Sequence, residues 1–172
     1  VAAEFIGKGA DVVVLGEPET RGAAIAHALT GTGSLETIPG VVFRHGGFVR
    51  DTGDGVLEQD LDSLPLPAWD IFPLEGYWTA GFAHAPVRRG ERFVPILTSR
   101  GCPYRCTFCI APEVNPTWRA RSAASVADEM EHFYRTMGVT DFHVSDLDPT
   151  VSDRRTQEIC EALIARRLPI TW

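Results

Sequence analysis

Apolar positions follow two periods along this chain. Two short continuous runs, Val12-Val13-Val14-Leu15 and Phe93-Val94-Pro95-Ile96-Leu97, have the length of strands buried on both faces. Farther on, Val126, Met130, Phe133 and Met137 recur at helical spacing, with Ser122 or Ser125 placed to cap that helix and Gly138 to stop it. Thr140-Asp141-Phe142-His143-Val144 reads as another strand. Asp153 or Ser152 then opens a helix through Arg167, and Pro169-Ile170-Thr171-Trp172 begins a third strand. Strand and helix alternating over residues 93–172 predict a parallel sheet with right-handed crossovers, whose functional ends are carboxyl-terminal.

The first 33 residues read as helix, strand, helix. Val12-Val13-Val14-Leu15 suits a parallel sheet, Gly16-Glu17-Pro18-Glu19-Thr20 forms its loop, and Thr20 or Glu19 caps a helix over residues 23–29 that Gly31 and Gly33 end. This is the pattern of the end of a doubly wound α/β domain, in which ligands bind at carboxyl ends of strands, so Gly16 is a candidate contact. Residues 34–92 read as a connector. Val41-Val42-Phe43-Arg44 and Phe48-Val49-Arg50 flank His45-Gly46-Gly47 as a hairpin. The prolines of the segment from Asp60 to Pro73 forbid a regular helix or central strand. Its apolar residues need a surface, so it is expected to run as an extended strap across a neighbouring domain, with Trp69, Tyr77 and Trp78 as packing residues.

The cysteines change this picture from scaffold to chemistry. Cys102, Cys106 and Cys109 follow soon after the run 93–97, with three and then two residues between them, while Cys160 stands alone among Ile159, Leu163 and Ile164 as a small core residue. Clustered thiolates suit iron-sulfur clusters or zinc. A structural zinc site needs four ligands, and no fourth lies close in sequence; a disulfide would leave one thiol unpaired. The net charge of -7 argues against a nonspecific grip on nucleic acid, and no apolar run is long enough to span a bilayer. A reducing, cytoplasmic location is the default. Arg88, Arg89, Arg92, Arg100, Arg105, Arg119 and Arg121 bracket the cysteine loop, either as cations for an anionic site or as a solvated surface.

The C-x3-C-x2-C spacing, with Phe108 before the last cysteine, resembles the signature of the radical S-adenosylmethionine (SAM) enzymes. The resemblance implies a 4Fe-4S cluster on Cys102, Cys106 and Cys109 and a unique iron that chelates SAM. One electron from the cluster cleaves SAM to a deoxyadenosyl radical, and a flavodoxin or ferredoxin would supply such electrons. Phe108 belongs to that cofactor region. The turn Val144-Ser145-Asp146-Leu147-Asp148-Pro149-Thr150 is similar to the family's acidic turn that accepts the SAM ammonium; Asp146 aligns best, with Ser145 one residue earlier as the other candidate and Asp148 as a turn or capping residue. Trp118-Arg119-Ala120-Arg121-Ser122 resembles the segment opening the family's first helix. A phosphate-like or carboxylate partner and a salt bridge to Glu129 are both open for these arginines.

Residues 9–19 also resemble the last strand and loop of the cobalamin-binding domain found upstream of many such enzymes, although Pro18 departs from the usual Gly-Glu-Gly-Glu. The strap followed by Tyr77-Trp78 is similar to the linker of that cobalamin-dependent group. The resemblance implies an α/β fold in three parts: the C-terminal end of a doubly wound cobalamin-binding-type domain (1–33), a linker with hairpin and proline-rich strap (34–92), and the N-terminal part of a partial (β/α)6 radical SAM barrel (93–172). It implies radical chemistry, foremost cobalamin-dependent methyl transfer, on a small metabolite or natural-product intermediate. Two rival readings are a radical SAM methylthiotransferase acting on RNA and a non-enzymatic metal-cluster module. Starting inside a predicted helix and stopping as a strand begins, the chain is expected to be a fragment that is inactive alone.

Overall fold

The computed structural model describes residues 1–81, 90–115 and 117–172. The chain divides into two compact units, Val1–Gln59 and Asp60–Trp172. In the first, helix α1 (Ala2–Gly7) precedes strand β1 (Val12–Val14), helix α2 (Glu19–Leu29) and the hairpin of β2 (Val41–His45) and β3 (Phe48–Asp51). Gly46 and Gly47 sit in the turn with φ of 57° and 82°, the left-handed conformation that a two-residue hairpin demands at both positions. The three strands form one antiparallel sheet in the order β1-β2-β3, with Val13 opposite Val42 and Phe43 opposite Arg50. Ile38, Val41 and Phe43 are its buried centre, packed by Val12, Val14, Ile25, Ala28 and Leu35.

Two expectations change here. The apolar run at 12–15 pointed to a parallel sheet, yet β1 pairs antiparallel with β2 and is only half-buried. An apolar run reports burial; it carries no information about the direction of its neighbour. The hairpin lies in the first unit's sheet, and the two compact units divide after Gln59. Helix α2 also starts earlier than expected. It begins after Pro18, whose fixed φ of -87° serves the helix start, and no side chain caps it. Thr20 instead hydrogen-bonds Glu58.

The second unit begins with the proline-rich segment, which makes two short 3₁₀ turns (Leu61–Ser63 and Trp69–Ile71) before helix α3 (Leu74–Ala80). Trp69 and Trp78 pack on this unit's core, whereas Tyr77 is exposed. Strand β4 (Phe93–Ile96) is followed by the short β5 (Ser99–Arg100), helix α4 (Ala111–Val114) and short β6 (Arg119–Ala120). Then come helix α5 (Ala123–Met137), strand β7 (Asp141–Val144) and helix α6 (Asp153–Arg166). Strands β4 and β7 pair in parallel, Phe93 with Asp141 through Ile96 with Val144, and Thr171 bridges in parallel to Asp141. That is the expected β/α alternation. Val94, Ile96 and Phe142 bury against Val126, Met130 and Phe133 of α5 and Ile159 and Leu163 of α6. Ile164, grouped with them by sequence, lies off that face and is exposed.

The ends of α5 follow the sequence closely. The Ser122 side chain accepts from the Ser125 amide, and Gly138 closes the helix in the left-handed region. The strap adds a second cap, because the Asp62 carboxylate accepts from the Ser122 amide at 3.0 and 3.2 Å. Although burial raises the pKa of Asp62, these bonds and the nearby Arg121 charge outweigh it and hold the carboxyl below its ordinary value. Ser122→Ala is expected to cost about 1 kcal/mol in urea unfolding, with Ser122→Asn recovering most of it.

Candidate functional site

The three clustered cysteines lie on an excursion between β5 and β6. These short strands pair antiparallel, Ser99 with Ala120 and Arg100 with Arg119, and so form a neck through which residues 101–118 leave and return. At the neck Gly101 has φ +80°, and a Cβ there would collide with the Thr117 carbonyl. Arg119 is buried just inside the return and donates to the Thr117 carbonyl at 3.3 Å and the Asn115 side chain at 3.1 Å. Burying a guanidinium demands such partners, and these stiffen the neck.

On the loop, Cys102 is half-buried and Cys106 and Cys109 are exposed; all three are free thiols. The Cys109 amide donates to the Cys106 carbonyl at 3.0 Å, and the Ala111 amide donates to the Cys109 sulfur at 3.4 Å. Among the described residues no three His, Cys, Asp or Glu side chains are gathered as they would be around a bound ion. The donor chemistry nevertheless fits an iron-sulfur cluster, with three reduced, accessible soft ligands on one stapled loop. The Trp118 indole N–H at the loop's return is buried without a partner among the described residues. Phe108 is 92% exposed, and Tyr104, Ile110 and Val114 also stand in water. Several large apolar side chains on one loop mark a surface made to be covered. Cys160 lies apart in α6.

Below the neck lies a polar network that sequence reasoning did not anticipate. Asp146, just beyond β7, accepts from the Thr98 amide at 2.7 Å and from the Thr98 and Ser99 hydroxyls at 2.6 Å each. Thr98 and Ser99 are each 2% exposed. The Thr98 carbonyl accepts from the Arg121 amide at 3.0 Å and from the Arg155 guanidinium, whose Nε also reaches the Arg121 carbonyl at 3.0 Å. Burial lowers the Arg155 pKa, with the Asp146 charge opposing it. The sequence did hold a signal for Arg155. A cation in the first turn of α6 opposes the helix dipole and needs a compensating partner.

Arg121 ion-pairs with Glu129 and also reaches the Leu97 carbonyl and Ser125, which answers the question left open for it. Burial pushes the Glu129 carboxyl up, and Arg121 only partly offsets this. A raised folded pKa means that Glu129 contributes most below its unfolded value, and that this contribution is lost as pH rises through the folded one. Glu129→Ala is expected to lose about 3 kcal/mol, since the carboxyl group is removed from a buried site and the part-buried Arg121 is left without it as a hydrogen-bond partner. The loss, read by urea unfolding across pH, should grow toward acid.

The remaining candidates separate clearly. Ser145 is exposed, its hydroxyl on the His143 carbonyl at 3.3 Å. Asp148 accepts from the Thr150 amide and hydroxyl at 2.9 and 2.8 Å, the turn role expected of it. Arg92 is taken by the Met137 carbonyl, Glu75 and the Trp78 ring. Arg88 and Arg89 lie outside the described residues. Gly16, in the first unit, adopts φ +77°, and a Cβ there would strike the Val56 carbonyl, so chain packing alone explains the glycine. Beside it, buried Arg21 donates to the carbonyls of Leu15, Glu17, Pro39 and Gly40, a hub no local pattern announced.

Residues 96–172, from the end of β4 through the cysteine loop to the Thr171 bridge, match the family described as the Radical SAM superfamily. These residues belong to that superfamily. It is 34% identical over 161 residues to an anaerobic magnesium-protoporphyrin IX monomethyl ester cyclase of Synechocystis, covering 94% of this chain and 30% of the cyclase. It is 32% identical over 111 residues to a cytidylyl-2-hydroxyethylphosphonate methyltransferase of Streptomyces wedmorensis, covering 64% of this chain and 21% of that protein. The fold matches TsrM, a radical SAM methyltransferase from Kitasatospora setae solved with tryptophan and a SAM analogue, at a TM-score of 0.68 and 22% identity, over 96% of this chain and 30% of TsrM. TsrM has also been solved with cobalamin and a [4Fe-4S] cluster. The chain thus spans under a third of the length of these relatives.

Proposed function

We propose that this radical SAM chain is the cluster-holding segment of a cobalamin-dependent enzyme that carries out methyl transfer or related radical chemistry on a small metabolite or natural-product intermediate. The observation that supports this most is the placement of Cys102, Cys106 and Cys109 on a stapled loop leaving the carboxyl end of β4, in a parallel β4–β7 sheet. The three thiolates would hold a 4Fe-4S cluster. When bound, that cluster supplies the electron that cleaves SAM. Phe108 and its exposed apolar neighbours would exclude water there, and the exposed Ser145 hydroxyl and Asp146 shape the facing strand end. In the first unit, the bare Gly16 backbone would shape one edge of a cobalamin-binding domain by letting Val56 close on it. The protein would work in a reducing cytoplasm with a flavodoxin or ferredoxin as electron donor. Among the described residues no helix is long and apolar enough to cross a membrane.

Anaerobic reconstitution with iron and sulfide tests this reading. The expected result is a 4Fe-4S absorption band and, after reduction, an electron paramagnetic resonance (EPR) spectrum that shifts when SAM is added. Zinc binding without such a chromophore, or a cluster blind to SAM, would overturn it.

A further inference from the structure

We infer that Asp146 is a positioning residue for the cysteine loop, clamping its root, rather than a contact for the SAM ammonium. The inference rests on the reading of the loop as a cluster site.

The parallel ladder between β4 and β7 ends at Ile96 and Val144, and the Ser145 amide makes the last rung by donating to the Ile96 carbonyl at 2.9 Å. Two residues farther, where the next rung would fall, a side chain takes over. One Asp146 oxygen accepts from the Thr98 amide at 2.7 Å, and the other accepts from the Thr98 and Ser99 hydroxyls at 2.6 Å each. A carboxylate offers about four acceptor positions, and three are filled from within the chain. The Thr98 carbonyl is held from the other side by Arg155 and the Arg121 amide. Both backbone groups of Thr98 are thereby fixed, and Thr98 and Ser99 are each 2% exposed.

The consequence is geometric. Ser99 is the first residue of the neck, and Cys102 follows only three residues later. Hydrogen bonds to an ionised acceptor are short and strong, so the Asp146 clamp sets the direction in which the loop departs. Of the two candidates for the ammonium, Ser145 is the exposed one, its hydroxyl turned to the His143 carbonyl.

Asp146→Asn replaces one acceptor oxygen by a donor that faces donors. Thr98→Val removes one hydroxyl and keeps the shape, and Thr98→Ser restores it. In the metal-free protein, amide hydrogen exchange over residues 98–102 is expected to quicken by about tenfold or more in Asp146→Asn and Thr98→Val, the factor that losing a hydrogen bond to a charged group implies. Thr98→Ser should stay near wild type. After reconstitution, the first two variants should lose iron to a chelator faster without SAM present, at temperatures well below their melting. Should Asp146→Asn fail to fold, Thr98→Val alone decides. Unchanged exchange and chelator loss, with only SAM affinity reduced in Asp146→Asn, would overturn the inference and return Asp146 to the ligand. A wild-type protein that takes up no cluster would instead sink the cluster reading, and the exchange data would still judge the clamp.

Discussion

Alanine at Cys102, Cys106 or Cys109 is expected to cut retained iron after anaerobic reconstitution to about a tenth of wild type or less, because in the proposed cluster site each thiolate would be one of three protein ligands, and metal affinity falls steeply with each ligand lost. Cys160→Ala should leave iron unchanged. The contrast is informative because none of the four cysteines is paired in a disulfide, so pairing alone does not separate them. Position does. Three leave through one neck beyond β4, whereas Cys160 sits within α6 among helical neighbours. Iron and sulfide quantified per folded chain, with far-UV circular dichroism as the control, check the result. Iron lost on Cys160→Ala without unfolding would mean the assignment of ligands is wrong.

Gly101→Ala is expected to be nearly as damaging, without touching any ligand. A non-glycine residue at φ +80° costs about 1–2 kcal/mol by itself. The new Cβ would in addition collide with the Thr117 carbonyl across the neck, which backbone must move to relieve, so the local cost should reach about 3 kcal/mol. Gly81→Ala separates the two effects. Gly81 has φ +68° and, among the described residues, nothing within 4 Å of its would-be Cβ, so it carries the conformational cost without the collision. Gly81→Ala should therefore lower the melting temperature modestly and leave iron uptake intact. Gly101→Ala should loosen the neck, seen as faster alkylation of the loop cysteines in the metal-free protein and as severalfold lower iron retention. Equal behaviour of the two variants would show that the neck does not govern the loop.

The elements most legible in the sequence are those whose determinants lie within a turn of themselves. Ser122 and Gly138 bound α5, Ser152 opens α6, and Gly46-Gly47 turns the hairpin, each through a backbone conformation or cap that one or two residues dictate. The cysteine spacing was legible for the same reason. What stayed hidden depends on partners far along the chain. Val12 could not announce that it would lie opposite Phe43 in antiparallel register, nor Arg21 that it would collect carbonyls from residues 15, 17, 39 and 40. Asp146 shows the limit most sharply. Its type and its place at a strand end made it a reasonable ligand candidate, but its three donors come from nearly fifty positions earlier, and only the pairing of β4 with β7 brings them within reach.

The neck also sets where the chain tolerates a change of length. Since β5 and β6 already hold the two ends of the excursion together, added residues within it need not be closed by any new contact, and doubling such a loop costs only about 0.6 kcal/mol in closure entropy. That latitude is not shared equally. Between Cys102 and Cys109 each insertion would shift one sulfur relative to the others, whereas the exposed Glu113 and Val114 carry no such constraint. Divergence in length, and any site chosen for grafting a peptide tag or reporter, should therefore concentrate on the returning limb of the loop, leaving the cysteine limb at its present length.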